Sequence, residues 1–186
     1  MSEGRLAGIL GVACRDLREG RNLHALQLFG SLVGVEFTYQ RDARLGEATA
    51  LARMGRFSEA EDKLQQIVND YSERTVFKAD SLRALAEVRI VLGNLEGIDD
   101  ILEEAAQIYQ IHSFTRPCGA IVHLQALVAM RRGDMDEAVE KIRWATTLTE
   151  IKIPDVVPAG FGSIEPLHDG TVSESTELMT LVTSAG

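Results

Sequence analysis

The chain has 186 residues, 45% of them hydrophobic and 25% charged, with a formal net charge of −9, enough for one domain with a sizeable core and a tail. Aromatic residues make up only 5%, while Ala and Leu abound, a mix that suits close-packed helices better than sheets. The acidic balance argues against nucleic acid as a partner, because phosphate binding relies on clustered Lys and Arg, and against an anionic membrane surface; nor does any apolar run reach the length of about 18 residues that spans a bilayer.

The acidity is uneven. Residues 1–154 hold 19 basic and 23 acidic side chains, whereas residues 155–186 hold no basic one and five acidic ones, Asp155, Glu165, Asp169, Glu174 and Glu177. The reading that follows is a nearly balanced body, 1–153, and an acidic tail, 154–186. Residues 1–5 lead into sequence interrupted by glycines and charges, a poor secretory signal. Cys14 and Cys118 stand far apart in the chain and form no motif. Two free thiols in a reducing, cytoplasmic setting are expected.

In chain order, the predicted elements are helices over 4–18, 22–37, 40–54, 58–72, 75–92, 95–112, 117–132 and 135–150, read from apolar residues three and four apart. They come in pairs that meet at Gly20, Gly55, Gly93 and Gly133, at intervals that lengthen slightly along the chain. Seven residues before each glycine stands an alanine: Ala13, Ala48, Ala86 and Ala126. Five after it come Ala25, Ala60, Ile98 and Ala138; nine after it, Phe29, Leu64, Leu102 and Ile142; twelve after it, Leu32, Ile67, Ala105 and Ala145. Glycine takes the backbone through a tight turn at little steric cost, the alanines let paired helices approach, and the larger residues fill the groove toward the next pair. Asn22, Asn94 and Asp134 are the expected caps of the second helices. One hairpin cannot bury both of its faces, so the hairpins are expected to stack.

Beyond residue 151 the pattern breaks. Pro154, Pro158 and Pro166 exclude a regular helix there, and residues 174–183 suit one short helix with Leu178, Leu181 and Val182 as its apolar face. Val156, Val157, Phe161, Ile164 and Leu167 are more apolar than a solvating linker requires. They are expected either to fold back over the last hairpin as a terminal cap or to dock in the groove of a neighbouring copy.

Over residues 5–150 this pattern of small residue, glycine turn, alanine and trailing hydrophobics resembles the tetratricopeptide repeat. Its departures are units longer than the family's standard repeat, Glu47 and Gln125 where leucine is usual, Ile98 in place of a small residue, and no proline between the first three units. The resemblance implies an all-α fold, a right-handed α-solenoid of about four antiparallel hairpins with an irregular acidic C-terminal tail. It also implies a concave groove lined by first helices, with Leu45 and Thr49 in the second unit, Asp80, Arg83 and Glu87 in the third, and His123 and Leu127 in the fourth. Arg83 and His123 beside apolar surface suit a peptide with hydrophobic anchors and some acid. Family members that clamp chaperone tails use lysines and asparagines where this chain has Leu10, Cys14, Ala84 and Ala120, so such tails are not the expected guest. The implied function is a non-catalytic protein–protein interaction module, an adaptor or a subunit of a larger assembly; the alternative is a small dedicated chaperone holding one client, for example for secretion. Solenoid ends expose unstacked apolar surface, so self-association is a further expectation.

The residues that carry chemistry elsewhere form no constellation. His24, His112, His123 and His168 lack metal-ligand spacing. Cys118 follows Pro117 near a helix start, where a thiol can be activated, but the candidate base His123 is off its face. No phosphate loop with its lysine appears, and 160–163 do not make a nucleophile elbow. The pairs Asp99-Asp100 and Glu103-Glu104 read as a solvated helix face, and Gly30 with Gly34 reads as a site of close helix packing. No catalytic, cofactor or metal site is therefore expected.

Overall fold

A computed structural model describes residues 2–35 and 39–150. The predicted tail and its short helix lie outside these residues. Among the described residues there are eight helices and no strand: α1 (Glu3–Arg18), α2 (Asn22–Val33), α3 (Gln40–Arg53), α4 (Phe57–Asp70), α5 (Val76–Leu92), α6 (Ile98–Ile111), α7 (Thr115–Arg132) and α8 (Met135–Glu150). They divide into two compact units, α1–α5 and α6–α8, with the boundary between Leu92 and Gly93. In the first unit each helix packs on the next, and α1 also touches α3, as α3 touches α5. In the second, α6 packs on α7 and α7 on α8.

The glycine turns share one geometry. Gly20, Gly55, Gly93 and Gly133 adopt φ of +76°, +75°, +76° and +87°, the left-handed region that costs a residue with a Cβ about 1–2 kcal/mol. At three of them the residue after the glycine donates its N–H back across the helix end, Arg21 to the Asp16 carbonyl at 2.8 Å, Arg56 to Leu51 at 3.0 Å and Asp134 to Ala129 at 2.9 Å. This is the Schellman closure, which satisfies carbonyls that the helix end leaves over. The end of α6 closes in the same way, with Phe114 N–H donating to the Tyr109 carbonyl at 2.9 Å, but Ser113 holds the left-handed position at φ +59°.

The repeated positions form the core. Ala13, Ala48, Ala86 and Ala126 before the turns are buried, as are Ala25, Ala60, Ile98 and Ala138 after them. Phe29, Leu64 and Leu102 are at most 1% exposed, whereas Ile142 is only half-buried.

Several expectations are corrected. α2 stops at Val33, where the Gln40 side chain donates to the freed Val33 carbonyl at 2.9 Å. α6 starts at Ile98 rather than 95, because Gly97 at φ +64° supplies its N-cap. Asn94 is therefore no cap, and Asn22 lies inside α2, its Oδ1 buried without a partner among the described residues. Asp134 does cap, accepting from the Glu137 N–H at 3.1 Å. α7 starts earlier, at Thr115, with Pro117 in a first turn that needs no donor from it. The close helix approach falls at Gly46 in α3, not at Gly30 or Gly34: a Cβ on Gly46 would overlap the Phe29 ring, whereas Gly30 and Gly34 are exposed.

Candidate groove on the first helices

α3 and α5 carry the same face at the same register. Asp42, Leu45 and Thr49 on α3 recur one repeat later as Asp80, Arg83 and Glu87 on α5. Spacings of three and seven put each trio on one side of its helix. Because α1 touches α3 and α3 touches α5, these faces adjoin within the first unit.

Their side chains behave differently. Leu45 is 6% exposed and serves packing. Thr49 is half-buried and donates its Oγ1 proton to the Leu45 carbonyl at 2.9 Å, one turn back on its own helix. Arg83 and Glu87, one turn apart on α5, form an ion pair with side-chain exposures of 17% and 21%. Asp80 is half-buried. Burial pushes the Asp42 carboxyl above the usual carboxylate range; the nearby Arg41, its Nε 4.0 Å from Oδ1, pulls it down, and Asp80 pushes it further up. On α1, burial lifts the Cys14 thiol to about 11, with Arg18 opposing and Asp42 reinforcing that rise. Cys14, Asp42 and Asp80 thus interact electrostatically across α1, α3 and α5.

Aromatic and cationic groups flank this face. The Arg41 guanidinium lies 5.4 Å from the Phe77 ring centroid, and that of Arg44 lies 5.8 Å from Tyr71. Tyr71 and Phe77 meet edge to face at 5.1 Å, and Arg44 also donates to Asp70 at 2.7 Å.

The remaining two predicted groove residues belong to the second unit, on α7. His123 is half-buried, and burial lowers its pKa, which favours the neutral imidazole at pH 7. Leu127 is 9% exposed and packs in the core. Of the seven residues expected to line a groove, Leu45 and Leu127 therefore present little surface, while Thr49, Asp80, Arg83, Glu87 and His123 are half-buried. Asp42 was not among them. The signal was available, since Asp42 stands one repeat before Asp80, at the same offset that separates Leu45 from Arg83.

A second polar cluster was missed. Asp16 at the end of α1 is 2% exposed, and it accepts from the Arg21 Nε at 2.9 Å and from the Arg21 terminal nitrogen, with His24 Nδ1 also in contact. The Arg21 hydrogen bonds hold the Asp16 carboxyl below the usual range, against burial and with help from His24. The turn at Gly20 folds residues five and eight positions away onto Asp16, a convergence that linear spacing alone does not display.

Elsewhere, burial raises the pKa of the Cys118 thiol, the opposite of nucleophile activation, and its Sγ lies 3.0 Å from the Phe114 carbonyl. Asp99 is not merely solvated: it accepts two hydrogen bonds from Arg132, at 3.2 and 2.7 Å, and ties α6 to α7. Among the described residues no group of three His, Cys, Asp or Glu is placed to hold a metal ion, and no helix is long and apolar enough to cross a membrane. In comparisons with known proteins, no family model, no curated protein and no solved structure matches the chain.

Proposed function

We propose that the chain is a non-catalytic protein-interaction module, an adaptor or a subunit of a larger assembly, built as a right-handed tetratricopeptide-like solenoid. Its guest is a peptide or helix of another protein, received along the first helices of the hairpins. The observation that carries this reading is the adjoining α3 and α5 faces. The repeat positions around the glycines are buried, whereas Asp42, Thr49, Asp80, Arg83 and Glu87 are half-buried at matching register and fill no hole in the core. Half-buried polar side chains on a rigid helical face suit recognition of a segment by both shape and charge.

The charge of that face favours a different guest from the one expected from sequence. Three carboxylates, Asp42, Asp80 and Glu87, stand with two guanidiniums, Arg83 bonded to Glu87 and Arg41 beside Asp42. A basic side chain on the guest complements this set better than an acidic one.

The test is affinity capture from the native cell with the unsubstituted chain and with Asp80→Lys, helix content being checked by circular dichroism. A stoichiometric partner held by the first and lost by the second supports the reading. An identical set of captured proteins for both removes this face from function. A client that aggregates when the chain is withdrawn would make the module a dedicated chaperone.

A further inference from the structure

In α2 and α4 the residues two, six, nine and thirteen positions after the glycine form one stripe on which the following helix packs; in α6 the stripe begins at Asp99, because Leu95 precedes the helix. In α2 the ninth-position Phe29 lies against Gly46 of α3. In α4 the sixth-position Glu61 accepts from Arg89 of α5 at 2.9 Å, and the thirteenth-position Val68 carbonyl accepts from Lys78 of α5. In α6 the sixth-position Asp99 pairs with Arg132 of α7. The equivalent stripe on α8 is Met135, Val139, Ile142 and Thr146. Met135 is 55% and Val139 45% exposed, Thr146 is exposed and Ile142 is half-buried. The other side of α8, Ala138 and Ala145, is buried as in the earlier hairpins. Exposed apolar groups on α8 therefore include the side that a following element would occupy, with Trp144, 57% exposed, on the opposite side.

We propose that residues 151–186 of the same chain occupy this stripe, with Phe161 and Ile164 as its apolar anchors. Topology favours this occupant. Each earlier stripe is covered by the segment that follows it directly, after 34–39 for α2, 71–75 for α4 and 112–114 for α6. The segment after Glu150 has the matching chemistry, with Val156, Val157, Phe161, Ile164 and Leu167 for the apolar stripe. The assignment rests on burial and register, and does not depend on what the first helices bind.

Oxidation by dilute peroxide, read by mass spectrometry on the full chain, tests it, because modification of methionine reports access to the thioether. Met54, which is 36% exposed, is the internal reference. Without cover Met135 oxidises faster than Met54; with cover it oxidises several-fold more slowly. Phe161→Asp with Ile164→Asp in the full chain restores the faster rate while circular dichroism stays unchanged. Met135 reacting at least as fast as Met54 in the unsubstituted chain overturns the assignment. So does protection that survives the double substitution, or protection that fades on dilution, which would identify a second copy as the occupant.

Discussion

α2 and α8 carry the same offsets from their glycines, but only α2 has both of its apolar sides covered by described residues. On each helix the positions five and twelve after the glycine are buried, Ala25 and Leu32 in one and Ala138 and Ala145 in the other. On the second side Phe29 is fully buried against α3, whereas Ile142 is half-buried and Met135 and Val139 are exposed. The difference teaches that a hairpin's inner seam is its own property. Its outer seam belongs to whatever comes next, the condition under which repeats gain stability from their neighbours.

The largest effect sought is on that outer seam. Phe29→Ala is expected to cost about 3–5 kcal/mol in chemical denaturation, since it empties a site packed between two hairpins. Ile142→Ala is expected to cost about 1–2 kcal/mol, because only part of its surface is enclosed. Equal losses would mean that α8 is covered as tightly as α2.

Next in size is the approach of α2 to α3. Gly46→Ala is expected to destabilise by about 1–3 kcal/mol, because the added methyl meets the Phe29 ring. Gly11→Ala, in α1 with open space around it, is expected to stabilise by about 0.5–1 kcal/mol. Changes of the same sign at both sites would refute close packing as the reason for Gly46.

A smaller effect separates two helix ends of like geometry. Gly133→Ala places a Cβ at φ +87° and should lower stability by about 1 kcal/mol, while Ser113→Gly relieves φ +59° and should raise it by a few tenths of a kcal/mol. Thermal midpoints moving in opposite directions would support the shared closure.

The smallest effect concerns the half-buried Asp42. Its native pKa is raised, chiefly by burial, so the folded state holds that proton more tightly than the unfolded state, and the charged form weakens the fold at neutral pH. Asp42→Asn should therefore be slightly more stable than the unsubstituted chain at pH 7. The gap should close as pH falls below the ordinary Asp value of about 4. A gap that is constant with pH would exclude the carboxyl charge as its cause.

The hairpin seams were legible because their signal is local. A glycine taking positive φ, an alanine seven residues before it and an apolar residue nine after it are all set by helix period and backbone sterics. Some helix ends were less so. α2 ends at Val33, where Gln40 of the next helix caps it, and α6 begins at Ile98, where Gly97 turns the chain one residue earlier; neither rests on apolar periodicity. Of the seven residues expected along the first helices, Thr49, Asp80, Arg83, Glu87 and His123 keep some surface, whereas Leu45 and Leu127 are buried, because a register position does not show how closely the adjoining helices pack.

Helicity, the glycine turns and the buried positions around them follow from the sequence of the described residues alone, since each rests on interactions within a few turns of one chain segment. Packing across helices sets the rest: that Gly46 receives Phe29, that Asp16 gathers Arg21 and His24, that Asp42 interacts with Cys14 and Asp80, and that Met135 and Val139 on α8 are exposed. Those outcomes depend on which surfaces meet across helices, and on how deeply each side chain is then withdrawn from water.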